Sequence, residues 1–344
     1  MDKKSIRVGI VGAGRNTRLM HIPKLQAIGG VEIVSVCNRS RASSERVAEQ
    51  FGIPTIYDDW HELIAAPDTD AIVIGTWPYL HCPTTLAAIS ADKHVMVEAR
   101  MAMNGAEAAQ MVAAAKAKPH LITQVVPAPL SFSVDATIQR LIAEGYLGDI
   151  LAIEVRDHGR SFLDSDAPLH WRQNEAFSGI NMLTLGIFYE TLMRWVGEAT
   201  AVSAMGKTFV KMRLDEANGR LTPTTLPEQL TVLAEMACGA QATFSMSQVT
   251  GLNPVQEMVL YGRSGTLRFA NQTLYGGQRG DTELREISIP NTERGEWRVE
   301  EEFINAIRGH EPIRYTTFAT GLKYMQFTES VARSLREGKI VYLP

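Results

Sequence analysis

Apolar runs of strand length alternate with stretches of helical period through the first third of the chain, beginning at Arg7-Val8-Gly9-Ile10-Val11. That run passes straight into Gly12-Ala13-Gly14, then into residues 17–28, which can be helical, and then into a second apolar run, residues 31–36, ending in Cys37-Asn38-Arg39-Ser40. Strand, glycine turn, helix and strand within about thirty-five residues make a βαβ unit. The pattern continues with a helix through Val47 and Phe51, stopped by Gly52 and Pro54, and a short helix behind Asp59 that carries Leu63 and Ile64. Ala71-Ile72-Val73-Ile74 and His94-Val95-Met96-Val97 have the unbroken apolar character of strands buried on both faces. Asn104 with Glu107 makes a capping-box-like start to an alanine-rich helix that Lys118-Pro119 ends, and residues 121–126 close the series as a strand. Strands alternating with helices predict a Rossmann-type, doubly wound parallel sheet over residues 1–126.

From about Pro127 the period changes. Residues 132–144, closed by Gly145, read as a helix and residues 150–157 as a strand. Residues 240–247 alternate strictly, with Ala240, Ala242, Phe244 and Met246 on one face and Gln241, Thr243, Ser245 and Ser247 on the other. Such alternation means one covered face and one open face. Arg263-Ser264-Gly265 suits a hairpin turn between strands at 258–261 and 266–270, and helices near 299–308 and 316–337 end the chain. Residues 127–344 are therefore expected to form an α+β substrate-binding and oligomerisation domain on a large open, mostly antiparallel sheet. Uncovered sheets of this kind are commonly buried between subunits, so a homodimer or homotetramer is expected.

Composition narrows the function classes. A chain of 344 residues, 45% apolar and 21% charged, suits a globular protein of two domains. No run approaches a membrane span, and no basic n-region with an apolar stretch precedes the first strand, so no membrane partner and a cytoplasmic location are expected. Three cysteines, Cys37, Cys82 and Cys238, are odd in number and widely spaced, which argues against a disulfide framework and a zinc site; no metal is expected. A net charge of -4 argues against nucleic acid and leaves a small-molecule substrate as the expected partner.

The glycine turn carries the first candidate chemistry. Gly12 permits a tight turn and Gly14 lets the backbone approach a pyrophosphate, while Arg15 and Asn16 open the next segment, whose free N–H groups attract its charge. The third glycine of the motif is replaced by Thr17, which should loosen packing of helix on strand more than it harms phosphate binding. At the end of the second strand, Asn38, Arg39, Ser40 and Arg41 offer cations and hydroxyls, with no carboxylate before Glu45. That set predicts NADP(H) over NAD(H), because a 2′-phosphate needs cations where ribose hydroxyls need an acid; the alternative is that Arg39 and Arg41 are solvated loop residues and NAD is the cofactor. Ligands of such sheets gather at the carboxyl ends of strands, so Thr76-Trp77-Pro78, His81 and Glu98 should border the cofactor.

These residues, with Asp92-Lys93-His94-Val95-Met96-Val97-Glu98, Glu144-Gly145-Tyr146-Leu147-Gly148-Asp149-Ile150 and Trp171-Arg172, resemble the Gfo/Idh/MocA family of NAD(P)-dependent oxidoreductases over essentially the full chain. The resemblance implies hydride transfer between nicotinamide and a small hydroxyl or carbonyl substrate, sugar- or polyol-derived or otherwise, at a site between the two domains, and it adds Trp171 and Arg172 to the cofactor-side candidates. Typical members carry Glu-Lys-Pro after the fifth strand and Asp-x-Gly-x-His-x-x-Asp on a second-domain helix. Here the matching stretches are Glu98-Ala99-Arg100 and Thr184-Leu185-Gly186-Ile187-Phe188-Tyr189-Glu190-Thr191, so Ala99 and Phe188 stand at the lysine and histidine positions. Neither side chain exchanges a proton.

Other groups then become the catalytic candidates. Arg100 can bind a carboxylate or polarise a carbonyl but, being a guanidinium, not act as an acid. His158 shares a strand face with Arg156, and His170-Trp171-Arg172 sits in a loop that follows Asp164, Asp166 and Pro168, making His158 or His170 the expected proton carrier. Tyr189 is a further candidate, although it points about 100° around the helix from Phe188 and packing is its bland alternative. Two other function classes compete with a dehydrogenase: a cofactor-binding protein without turnover, and non-redox lyase or glycosidase-type chemistry with a retained dinucleotide.

Overall fold

The apolar run that opens the chain becomes β1 (Ile6–Val11) in a computed structural model that describes residues 5–344. With β2 (Val31–Cys37), β3 (Thr55–Ile56), β4 (Ala71–Ile74), β5 (His94–Val97) and β6 (Thr123–Val125) it forms a six-stranded, all-parallel sheet of order β3-β2-β1-β4-β5-β6. Val8, Ile10, Ile72, Val73, Val95 and Met96 are buried, as strands covered on both faces require. The helices are α1 (Ile22–Gln26), α2 (Arg41–Phe51), α3 (Trp60–Ala65), α4 (His81–Ser90) and α5 (Gly105–Ala117). Asp59 caps α3 by accepting the His61 N–H at 2.9 Å, and Asn104 caps α5 by accepting the Glu107 N–H at 2.9 Å. The single helix expected over residues 17–28 is instead a π-helical turn, Thr17–His21, that hands over to α1. Pro23 is the reason: it has no N–H to continue a helix begun at Thr17, but it is well placed in the first turn of a new one.

The chain divides into two compact units, Met1–Pro127 with Arg298–Leu322, and Ala128–Trp297 with Lys323–Pro344. A cut after residue 126 would leave 298–322 with the second unit, whereas it packs with the first. The pairing explains why: Val125 and Thr316 exchange two backbone hydrogen bonds, of 2.9 and 3.2 Å, at the free edge of β6.

The second unit starts with α6 (Phe132–Ala143) and β7 (Ile150–His158), followed by the single turn α7 (Glu175–Ser178) and by α8 (Leu185–Val196). The strands β8 (Ala199–Lys207), β9 (Met212–Asp215), β10 (Arg220–Pro223), β11 (Gln229–Met236), β12 (Gln241–Ser247), β13 (Val255–Gly262), β14 (Gly265–Ala270), β15 (Thr273–Gln278), β16 (Arg285–Glu286) and β17 (Val341–Tyr342) follow. Eight of them join β7 in one nine-stranded sheet of order β16-β15-β14-β13-β7-β12-β11-β8-β17, antiparallel except where β7 meets β12; β9 and β10 form a separate ribbon. The helix α9 (Val299–Ile307) belongs to the segment that returns to the first unit, and α10 (Phe318–Glu337) lies mostly in the second. In the large sheet Val202, Ala234, Ala242, Ile153 and Leu260 stand in register and are buried. One residue along, Ser203, Leu233, Thr243 and Glu154 face the other way.

Candidate cofactor site and the residues around it

At the carboxyl ends of β1 and β4, where the strand order reverses, a cavity of about 520 Å³ is lined by residues that include Gly12, Gly14, Asn38, Arg39, Gly75 and Thr76. This is the crevice in which sheets of this topology bind ligands. Gly12 sits at φ +83°, and a Cβ there would lie 2.8 Å from the Thr76 amide nitrogen. A Cβ on Gly75 would lie 2.2 Å from the Gly12 carbonyl oxygen and 2.0 Å from Thr17 Oγ1. The glycine turn and the end of β4 therefore touch backbone to backbone. The room that a glycine at 17 would have provided is supplied by Gly75, directly after β4.

Asn38 holds the turn from the side. Its Oδ1 accepts the Ala13 N–H at 2.6 Å, its Nδ2 donates to the Ser43 carbonyl at 3.1 Å, and its own N–H donates to Ser44 Oγ at 2.9 Å. The Thr76 hydroxyl is buried and has no hydrogen-bond partner among the described residues. A cradle that any Cβ would fill, beside an unpartnered buried hydroxyl, fits a dinucleotide whose pyrophosphate needs close approach and a donor. Arg39 and Ser40 are exposed; Arg39 lines the cavity, its guanidinium lying 5.9 Å from the Trp77 ring centre, and Ser40 does not. Arg41 is engaged elsewhere, with Glu45 at 3.1 Å and Asp58 at 3.3 Å, while Arg15 is exposed.

His81 does not border the cavity. Its ring is fully buried between the loop after β4 and the loop after β5, with Nδ1 2.8 Å from the Arg100 carbonyl oxygen and Nε2 3.0 Å from that of Thr76, and its single N–H in the neutral form donates to one of them. Burial lowers its pKa and the two carbonyls pull the other way. Arg100 is itself buried. Glu98 closes β5 and accepts from Asn16 Nδ2 at 2.5 Å and from His21 Nε2 at 2.9 Å. The His21 ring is fully buried, and its Nδ1 stands 2.5 Å from Glu300 Oε1 on α9. Burial works against the charge of both groups; the two carboxylates nonetheless raise the His21 pKa to about 9, and His21 and Asn16 hold the Glu98 carboxyl below its usual range. Nothing in the sequence pointed to His21, an isolated histidine with its partners far along the chain.

In the second unit, Arg156 and His158 do share a face. Arg156 pairs with Glu257, which Arg268 also reaches at 2.8 Å, and His158 Nε2 lies 2.9 Å from Ser245 Oγ. That face is opposite to the one α8 covers, where Thr184 reaches Met246 and Tyr189 packs beside Phe244. His158 therefore does not take the place of a proton carrier on α8. Tyr189 is corrected from catalytic candidate to core residue: it is fully buried, stacked 3.6 Å from Phe327, with its hydroxyl oxygen accepting the Ala199 N–H at 2.8 Å, and burial pushes its pKa up. Phe188 is buried as well. At the start of α8 the Thr184 hydroxyl donates to Asp157 Oδ2 at 2.6 Å, directly after Leu183 at φ +47°; this carboxylate on the α8 face was not singled out from sequence. His170 is an exposed capping residue whose Nδ1 accepts the Arg172 N–H at 3.3 Å, and local desolvation and Arg172 lower its pKa. The Arg172 guanidinium lies 4.2 Å from the Trp171 ring centre. Among the described residues no cluster of His, Cys, Asp and Glu is arranged to hold a metal ion, and no helix is long and apolar enough to cross a membrane.

Comparison with known proteins places these features in a family. Residues 6–125 match the oxidoreductase family with an NAD-binding Rossmann fold, GFO/IDH/MocA, and residues 136–268 match the GFO/IDH/MocA C-terminal domain. A Xenopus laevis glucose-fructose oxidoreductase domain-containing protein 2 is 27% identical over 280 residues, covering 80% of this chain and 71% of the relative. The trans-1,2-dihydrobenzene-1,2-diol dehydrogenase of Sus scrofa is 25% identical over 257 residues, covering 72% of this chain and 70% of its own. A solved levoglucosan dehydrogenase, in complex with NADH and L-sorbose, superposes with a TM-score of 0.84 over 99% of both chains at 21% identity, a likeness of fold.

Proposed function

Because the chain belongs to the GFO/IDH/MocA family of oxidoreductases, we infer that it transfers a hydride between a nicotinamide dinucleotide and a small hydroxyl or carbonyl compound, sugar- or polyol-derived. The observation that carries this reading is the backbone-to-backbone approach of Gly12 and Gly75 at the mouth of the cavity. When bound there, the dinucleotide supplies the hydride chemistry. The chain's own residues orient it: Asn38 fixes the Ala13 amide, Thr76 offers a hydroxyl, and Arg39 in the cavity lining offers a cation to a 2′-phosphate, which favours NADP(H) over NAD(H).

With Ala99 and Phe188 at the positions the family resemblance gives to lysine and histidine, the accompanying proton falls to His170, to Asp157 through the Thr184 hydroxyl, or to water. Arg100 and the His170-Trp171-Arg172 loop are the residues we assign to the substrate side. The same replacements favour the second reading, a bound dinucleotide without net turnover or with non-redox net chemistry. Titration with NADPH and NADH, followed by cofactor absorbance against a panel of polyols, aldoses and ketones, separates them. NADPH is expected to bind more tightly, and Arg39→Ala to weaken NADPH roughly tenfold or more while sparing NADH, since one charge-assisted hydrogen bond is worth about 1.5–3 kcal/mol. Tighter NADH binding removes the NADP assignment, and absorbance unchanged across the panel removes the dehydrogenase reading.

Self-association belongs to the same proposal. The uncovered sheet face carries Leu233, Met205 and Tyr261, 47, 80 and 36% exposed, beside Thr231, Thr243 and Glu154. Such a mixed face suits burial against a second copy. Light scattering at micromolar concentration is expected to give a dimer or tetramer, and a monomer would remove this part.

A further inference from the structure

We propose that His21 is a positioning residue of the cofactor site, joining Glu98 and Glu300 into one buried charge cluster and, through Glu98, fixing Asn16 beside the glycine turn. The proposal rests on reading the Gly12–Gly14 cavity as a dinucleotide site. Asn16 stands two residues after Gly14, and its side-chain amide ends on the Glu98 carboxylate at 2.5 Å. Glu98 Oε1 also takes His21 Nε2, and Oε2 accepts the Ala99 N–H at 3.2 Å, so this carboxylate at the end of β5 is held on several sides. Glu300 reaches the other ring nitrogen from α9. An imidazole with an acceptor at each nitrogen can satisfy both only as the imidazolium, because the neutral ring has one N–H. The His21 ring is fully buried, while the Glu98 side chain is 13% exposed and Glu300 1%.

The charge facing His21 comes from Glu98, directly after β5, and from Glu300 on α9; the Asn16 amide, 3.3 Å from Nε2, is neutral, and His81 acts on Glu98 from α4. With the imidazolium in place the three side chains sum to one negative charge, and without its proton to two. Proton loss therefore adds negative charge near the seat of an anionic pyrophosphate and leaves the ring one N–H for two carboxylates, so the link between Glu98 and Glu300 is broken at one end. The cofactor affinity should then follow a residue that does not line the cavity. The same proton stabilises the fold: with the folded pKa raised to about 9, that stabilisation is complete below the ordinary histidine range near 6.5 and is lost as pH rises through about 9.

The test is fluorescence titration of the full chain with NADPH and NADH between about pH 7.5 and pH 10, where the 2′-phosphate, which titrates near 6, is already fully ionised. For whichever binds, the wild-type Kd should be level to about pH 8 and rise roughly fivefold to tenfold by pH 10, in keeping with one added charge near the site. Glu300→Gln leaves His21 with one carboxylate and should bring that rise about one pH unit lower, since each pKa unit reflects about 1.4 kcal/mol of lost interaction. His21→Gln should lack the rise altogether, with circular dichroism confirming that it is folded. In parallel, ¹⁵N shifts of the His21 ring, assigned by their absence from His21→Gln, should show an imidazolium at pH 7.5. Identical pH profiles in wild type and Glu300→Gln, or a neutral ring at pH 7.5, would overturn the role of His21. Failure of both dinucleotides to bind wild type at pH 7.5 would instead overturn the cofactor reading itself.

Discussion

Gly75→Ala is expected to raise the dinucleotide Kd on the order of 100-fold and to destabilise the first unit by about 1–3 kcal/mol, the range for forcing a methyl into a filled space. The added carbon would stand 2.2 Å from the Gly12 carbonyl oxygen and 2.0 Å from Thr17 Oγ1. Thr17 can rotate its hydroxyl away, but the Gly12 carbonyl cannot yield without moving the turn. β4 cannot yield either, because β1 and β5 pair with it on both sides. The turn must therefore shift away from the position at which its backbone meets a pyrophosphate. Gly29→Ala is the control, since a Cβ there meets nothing within 4 Å. Calorimetric titration beside a thermal melt separates the two effects, and wild-type affinity in Gly75→Ala would show that the cavity at this crevice is not where the cofactor sits.

The second large effect is in the other unit. Arg194→Met is expected to cost about 3–5 kcal/mol, because it leaves two buried carboxylates without their counter-charge. Arg194 reaches Asp135 at 3.1 Å, Glu190 at 2.9 Å and the Ala128 carbonyl at 2.7 Å, and its side chain is 5% exposed. Asp135 also accepts the Trp195 indole N–H at 2.7 Å, and Glu190 accepts the Ala128 N–H at 3.2 Å, so the cluster pins α6 and α8 to the start of the unit. For a unit of this size the loss corresponds to a fall in the melting midpoint on the order of 10 °C. Adding Glu190→Gln should recover part of it by removing one uncompensated charge. A midpoint within about 2 °C of wild type would mean that the cluster relaxes without Arg194.

Local pattern carried much of the architecture. The unbroken apolar runs at Ala71–Ile74 and His94–Val97 gave two buried parallel strands, and the alternation through Ala242, Phe244 and Met246 gave the covered face of β12. Asn104 and Asp59 announced their helices because a cap is a short-range device. What stayed hidden depends on distance. Gly75 matters through the carbonyl of Gly12, sixty-three positions away by number, and no spacing rule links them. His21 meets Glu98 and Glu300 only after the chain has folded back, and Asp157 meets Thr184 across a strand and a helix start. Tyr189 misled for the opposite reason: a phenol next to the expected catalytic position is chemically attractive, yet one helix step turned it into the core.

The return of Arg298–Leu322 to the first unit bears on how the protein is made. On a ribosome, β1 to β6 emerge early, but the partner of Val125 and the Glu300 that completes the His21 cluster are encoded after the whole of Ala128–Trp297. At about 5–20 residues per second, that interval lasts roughly 10–35 s. For that time the nascent Rossmann sheet has an open edge at β6 and a histidine lacking one of its two acids. Unpaired strand edges of this kind are what chaperones cover during synthesis, and a fragment ended near residue 126 would keep that edge permanently.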